Sequence, residues 1–393
     1  RALREVLTPP YAPVALICPP DLLEEDIAAR PAAVAGRTLS SLSAADAARY
    51  ARFLSAARNP ALIAAEDVHW DDASGALEKL AAALGAPVYV APYTGVLPVS
   101  SAAPCYAGYL PPSFRQIAER LAAHDALLFA GGRGLRTTLY SVAKFPQKKA
   151  WLGHNAAAQP PAGRFELERV ADLRDSLSRV RALLAPGNEK HAIKSRRPEL
   201  ALPAPRAKLH PTRAMHALLE RFRDAIWVDE SGLSTSDVRQ WMSLEAGEYL
   251  INGSGGIGWG LAAAVGAAIA QPKRQVVAVI GDGSALYASE ALWTAGHHGA
   301  KLLLVVLSNR RYATLNEAAS RLAGGPLRAF TIEPPVIDFS GLATLYGFRY
   351  RAAATERALT AFLGKIRGRV HANTLLELKL DPGVKPVTAS RHF

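Results

Sequence analysis

In the stretch "VVAVIGDGSALYASEALWTA", Val276 to Ala295, an apolar run ends at an aspartate, Asp282, set between two glycines. The next apolar run, "LLLVVL", ends at Ser308 and Asn309, so a side-chain amide stands 27 residues after the acid. A strand, a helix and a parallel return strand fit that interval, and such crossovers are right-handed almost by rule. The two strand ends then share one edge of a sheet, and carboxylate and amide converge. With a backbone carbonyl from the following turn they make hard oxygen ligands suited to Mg²⁺, which fills its octahedron with phosphate and water. The glycines let a phosphate approach the backbone, and a helix beginning near Ala285 would aim N–H groups and its positive end at the same anion. These residues point to a diphosphate held through magnesium. The alternative is that Gly-Asp-Gly-Ser is only a tight strand-to-helix turn.

A second glycine cluster invites a different chemistry. "GSGGIG", Gly253 to Gly258, is a literal G-x-G-x-x-G followed by an acid at the end of the next strand, the fingerprint of a dinucleotide site. That fingerprint needs a buried strand of about five residues before its first glycine, and only "YLI" is available. An NAD-dependent dehydrogenase built on this loop stays open as a rival.

The elements that must carry these residues read as two series. From about Ser43 to Leu184, helices ("AADAARYARFLSAA", "SGALEKLAAALG", "SFRQIAERLAAH") alternate with strands ("PALIAA", "APVYVAP", "ALLFAGG", "AWLGHN"). A Pro- and Lys-rich link leads to a second series: helix "PTRAMHALLERFR", strand "AIWVDE", helix "WGLAAAVGAAIAQ", strands "QVVAVIGD" and "KLLLVVLSN". Such alternation predicts βαβ units and parallel sheets. Ahead of both, Pro13 to Pro19 reads as one buried strand closed by a Pro-Pro turn.

Composition narrows the function classes. Half of the 393 residues are apolar and a fifth charged, as in ordinary globular chains, and no apolar run is long enough to span a bilayer. The formal charge of +12 comes mostly from arginines scattered through helical stretches, and the one cluster, "KHAIKSRR" at Lys190 to Arg197, reads as a solvated linker. Neither nucleic acid nor membrane is expected as a partner, and the chain is placed in the cytoplasm. Cys18 and Cys105 are too few for a disulfide framework and are expected as small buried hydrophobes. The histidines His69, His297 and His298 read as structural or solvated.

With its following "SN", the "GDGS" of this chain resembles the thiamine diphosphate signature, in which GDG is followed at a similar distance by NN. The surrounding "GSGGIGWGLAAAVGAAIAQPKRQVVAVIGDGSALYASEALWTA" is similar to benzoylformate decarboxylases, within the acetolactate synthase and pyruvate decarboxylase superfamily. The likeness runs through "APVYVAP", "PCYAGYLPP", "HDALLFAGG" and "IDFSGLATLYGF" and covers nearly the whole chain.

The resemblance implies an α/β fold of two doubly wound parallel-sheet domains preceded by a remnant of a third. Residues 1–27 would be the tail of a pyrimidine-binding domain, 28–185 the central domain, 186–210 a linker and 211–393 the diphosphate-binding domain. It implies thiamine diphosphate and Mg²⁺ as cofactors, and a 2-oxo acid as substrate of a decarboxylase or carboligase in a homodimer or homotetramer. The side chains of Asp282 and Asn309 and the backbone carbonyl of Arg311 would bind the metal, and Gly283, Ser284 and Tyr312 would line the diphosphate. Gly255 and Ile257 would lie beneath the thiamine ring, with Glu230 and Ser231 facing the cofactor. Ser308 departs from the family's first Asn, and a histidine of the relatives' central domain aligns near Thr138. The family's catalytic glutamate belongs to the pyrimidine-binding domain, so no catalytic residue is assigned and the chain is expected to be inactive without it. A non-catalytic paralogue serving assembly or regulation is the further alternative.

Overall fold

The computed structural model describes residues 2–9, 11, 13–26, 36, 38–132, 135–137, 145–154, 164–184, 200–322, 325, 327–366 and 368–388. Thr138 and "KHAIKSRR" lie outside them.

Short apolar runs bounded by capped helices give the first sheet. Ser43 caps the helix Ala44–Ser55 by accepting from the Asp46 amide, and Gly85, at φ 61°, stops the helix Ser74–Leu84. Between and after such helices run β1 (Pro60–Ala64), β2 (Val88–Val90), β3 (Tyr106–Tyr109), β4 (Ala126–Ala130), β5 (Lys148–Gly153) and β6 (Leu167–Val170). They pair in parallel in the order β3-β2-β1-β4-β5-β6.

The second sheet contains β7 (Ile226–Glu230), β8 (Tyr249–Ile251), β9 (Val276–Gly281), β10 (Leu302–Ser308), β11 (Arg349–Ala353) and β12 (Thr374–Lys379). Its order is β11-β12-β10-β9-β7-β8, again all parallel. β9 and β10 are buried along all but their last residue, which is why they read as unbroken Val, Ile and Leu runs rather than alternating ones. The fold is therefore α/β with two parallel six-stranded sheets, as expected.

The two sheet units share one apolar core cluster, which joins residues such as Leu97 and Val99 to Trp227, Val238 and Tyr249. The contact is also backbone to backbone. Residues 95–97 lie antiparallel to the edge strand β8, with Ile251 N donating to Gly95 O and Leu97 N to Tyr249 O, both at 2.9 Å. An edge that would otherwise expose unpaired amides is thereby covered.

Two sequence expectations fail. Pro13 to Pro19 forms no strand; Leu16 and Ile17 are 75% and 90% exposed, because no described strand or layer stands beside them to pair with or cover them. Cys18, in the same segment, is exposed for that reason, whereas Cys105 is buried as expected.

The carboxyl edge of the first sheet is fixed by a buried polar cluster. His154 Nε2 lies 2.8 Å from Asp71 Oδ2, its amide donates to Asp67 Oδ2 at 3.0 Å, and Asp71 also accepts from Leu173 N. Burial pushes the imidazole pKa down, but the Asp71 hydrogen bond and the charges of Asp67 and Asp71 outweigh it and hold it above the ordinary value. A raised folded-state pKa means the protonated ring stabilises the fold. That contribution is complete below the unfolded pKa of about 6.5 and is lost as pH rises through the folded one. His154→Ala should cost about 3 kcal/mol at pH 6 by leaving two buried carboxylates without a cation, and less at pH 9. Urea denaturation at the two pH values checks this; an equal cost at both would contradict it.

Candidate functional site

The second sheet reverses its winding between β7 and β9, and ligands of open α/β sheets bind at the carboxyl ends of strands at such a point. A cavity of about 1050 Å³ opens there, at the upper end of the range for small-molecule sites. Its walls include every residue named from the sequence: Glu230, Ser231, Gly255, Ile257, Asp282, Gly283, Ser284, Asn309, Arg311 and Tyr312. Central-domain residues, among them Tyr93, Tyr109, Leu110 and Pro111, close the other side.

Asp282 stands at the end of β9 beside the end of β10, because Gly281 pairs with Leu307 in the parallel register. Its carboxylate is 3% exposed and accepts three backbone N–H groups: Gly283 at 2.9 Å, Asn309 at 2.9 Å and Arg310 at 2.6 Å. Burial pushes its pKa up to about 6 against the pull of those donors. The acid thus does two things, since it also ties down the turn carrying Asn309 and Arg311. Arg310 sits in that turn at φ 64°, and Asn309 Oδ1 accepts from Arg311 N at 3.2 Å. The carboxylate, the amide oxygen and the Arg311 carbonyl are one local construction.

The helix expected near Ala285 is shorter than its sequence pattern suggested. One helical turn, Asp282–Ala285, is followed by a separate helix, Ala291–His297, and the Gly283 amide of that turn donates to Asp282. Gly283 is demanded by its neighbour: a Cβ there would collide with the ring of Tyr312, which lies over it. Burial and the neighbouring Tyr287 raise the pKa of the Tyr312 phenol above its ordinary value. Gly255, at φ 78°, and Ile257, 42% exposed, belong to the "GSGGIG" loop facing the cavity.

Glu230 and Ser231 line the cavity but are engaged by the protein. Glu230 accepts from the amides of Gly258 and Gly260 at 2.6 and 2.5 Å, capping the start of the helix Trp259–Ala270. Ser231 Oγ donates to Asp229 Oδ1 at 2.6 Å, and fully buried Asp229 also accepts from Tyr249 OH at 2.7 Å. Tyr93, Tyr109 and the carboxyl-terminal stretch Leu380–Pro386, which also reach the cavity, were not foreseen. No spacing marks them, because they enter from other elements. His297 stacks on Trp293 at 4.8 Å and does not line the cavity.

The residues fit a metal-bound diphosphate. Among the described residues no cationic side chain is bonded to the buried acid, and the oxygen donors cluster at one turn. The set contains one carboxylate, an amide and a carbonyl, and no cluster of three His, Cys, Asp or Glu occurs among the described residues. No described helix is long and apolar enough to cross a membrane.

Residues 47–180 match the thiamine pyrophosphate enzyme central domain, and residues 230–372 the thiamine pyrophosphate enzyme C-terminal TPP binding domain. Benzoylformate decarboxylase of Pseudomonas aeruginosa is 32% identical over 380 residues, covering 92% of this chain and 70% of that protein. An acetolactate synthase isozyme 1 large subunit of Escherichia coli is 28% identical over 180 residues, 42% of this chain and 32% of its own. Among solved structures, the thiamine diphosphate-dependent 4-hydroxybenzoylformate decarboxylase of Rhodococcus jostii RHA1 superposes with a TM-score of 0.80 at 29% identity, over 92% of this chain and 67% of that one. The benzoylformate decarboxylase structure from Polynucleobacter necessarius shares the fold, with a TM-score of 0.87 at 22% identity over 97% of this chain and 73% of its own. Enzymes of this kind use thiamine diphosphate paired with Mg²⁺. The chain belongs to the thiamine pyrophosphate enzyme family and is a thiamine diphosphate-dependent enzyme related to benzoylformate decarboxylase and acetolactate synthase.

Proposed function

We propose that the chain carries the diphosphate half of the active site of a Mg²⁺-dependent 2-oxo acid decarboxylase or carboligase. The observation that carries this reading is the buried Asp282 carboxylate, tied to the Asn309–Arg311 turn at the head of the cavity. Asp282 and Asn309 would hold Mg²⁺ through side chains and Arg311 through its carbonyl, while Gly283, Ser284 and Tyr312 would receive the diphosphate. Gly255 and Ile257 would support the thiamine end. Bound thiamine diphosphate supplies the electron sink that a 2-oxo acid needs in order to lose CO₂. The chain's share is positioning and exclusion of water. Leu110, Pro111, Ile251, Ile257 and Leu315 line the cavity with apolar surface, which favours an aromatic 2-oxo acid of the benzoylformate type.

The dehydrogenase reading is disfavoured by Glu230. Its carboxylate occupies the helix amides that a dinucleotide pyrophosphate would use, and a second anion there would meet a like charge. We further propose units at 28–185 and 211–393 joined by 186–210, a homodimer or homotetramer, and a cytoplasmic location. The 393 residues would not complete the site by themselves.

Calorimetry tests the cofactor assignment. Thiamine diphosphate should bind with Mg²⁺ present and give no measurable heat in excess chelator, because the diphosphate is held through the metal. Metal-independent binding of NAD, with none of thiamine diphosphate, would overturn it.

A further inference from the structure

We infer that the central domain clamps the "GSGGIG" loop, through Tyr93 and Arg136, in the conformation that receives the thiamine end of the cofactor. This rests on the cofactor reading above. The loop needs an outside hold. Ser254 to Ile257 are exposed, four of the six residues are glycine, and Gly255 and Gly258 have φ of 78° and 100°. Such a segment has many alternative conformations, and little apolar burial selects one of them. Its own bonds, Asn252 Oδ1 accepting from Ser254 N at 2.8 Å and Asn252 Nδ2 donating to Gly256 O, shape it locally without aiming it at the cavity.

Two anchors do the aiming. At the carboxyl end, Glu230 holds the amides of Gly258 and Gly260. At the amino end, the holders come from the other domain. Arg136 Nη1 donates to Gly253 O at 3.1 Å, while Nη2 reaches Glu66 Oε1 at 3.3 Å, so the guanidinium bridges the helix Glu66–Trp70 to the loop. Tyr93 lies against the same residues. Its carbonyl oxygen is 2.9 Å from where a Cβ on Gly253 would stand, and its ring edge 3.7 Å from that of Gly255.

Tyr93 adopts φ 57°, a left-handed conformation that costs a residue with a side chain and persists where its surroundings impose it. The imposed geometry makes its ring part of the cavity wall shared with Gly255 and Ile257. Arg136 and Tyr93 meet the loop at Gly253 and Gly255, so the clamp acts on the thiamine half of the cofactor and not on its diphosphate. Both are positioning residues. They lower the cost of ordering the loop when the ligand arrives.

The test uses the whole 393-residue chain with Mg²⁺, titrated with thiamine diphosphate and, separately, with inorganic pyrophosphate, which engages only the metal end. Arg136 is 48% exposed, so Arg136→Ala leaves the core alone; it should weaken thiamine diphosphate about tenfold and pyrophosphate less than about twofold. Tyr93→Gly, which suits the left-handed backbone and removes the ring, should show the same split, and Tyr93→Phe should bind like the wild type. Unchanged thiamine diphosphate affinity in Arg136→Ala and Tyr93→Gly, or equal weakening of both ligands, would overturn the clamp alone. A wild-type chain that fails to bind thiamine diphosphate would overturn the cofactor reading and the clamp with it.

Discussion

Asp282→Ala is expected to abolish Mg²⁺-linked binding of thiamine diphosphate, with affinity falling at least about a hundredfold, the scale of removing one member of a buried, hydrogen-bonded charge pair. The aspartate is also a structural acceptor, so alanine has a second effect. It orphans the amides of Gly283, Asn309 and Arg310, at about 1 kcal/mol or more for each that stays buried, and frees the turn that presents Asn309. Asp282→Asn separates the two roles. It keeps the shape and one acceptor oxygen but loses the charge, so it should melt closer to the wild type than Asp282→Ala does while still binding no cofactor at ordinary Mg²⁺ concentrations. Tryptophan fluorescence titrated with cofactor at several Mg²⁺ concentrations, together with thermal denaturation, measures both effects. If Asp282→Asn bound thiamine diphosphate as the wild type does, the carboxylate would be a turn residue and nothing more.

That dual role was half legible in the sequence. Two apolar runs ending in Asp282 and Ser308–Asn309 announce adjacent strand ends, because a buried parallel strand must be apolar on both faces and its ends are where polar residues return. The hydrogen bonds from Asn309 and Arg310 are not written in any spacing; they depend on Arg310 turning left-handed. The same limit applied elsewhere. β3 and β6 are four-residue strands, β6 half-exposed, too short to show a period. Glu230 matched a motif by type, yet its carboxylate serves the helix start at Gly258 and Gly260, a contact set by the packing of β7 against the loop. Pro13 to Pro19 shows the converse: an apolar run is a strand only if a neighbour exists to pair with it.

The largest effect expected is on turnover, and it follows from how the carboxylates around the cavity are already used. Among the described residues the acids lining it are Glu119, Asp229, Glu230, Asp282 and Asp381. Asp229 is bonded to Ser231 and Tyr249, Glu230 caps a helix, and Asp282 holds the β10 turn. Glu119 is 67% exposed beside Arg115, and Asp381 accepts from Gly383 in its own turn. Each is engaged by the protein or turned to solvent, and general acid-base assistance is worth about 10² to 10⁴ in rate. The alignment with the Pseudomonas relative covers 70% of that protein. With saturating thiamine diphosphate and Mg²⁺, the polypeptide Arg1–Phe393 as sole chain should therefore convert benzoylformate to benzaldehyde no faster than the free cofactor does. Binding measured on the same sample separates a missing acid from a missing cofactor: the ligand should bind and the substrate should not turn over. Supplying a pyrimidine-binding domain that carries a glutamate, fused or as a second chain, should raise the rate at least about a hundredfold. Turnover above the free-cofactor rate, in a preparation whose mass shows only Arg1–Phe393, would mean that a group within these residues performs the proton transfer.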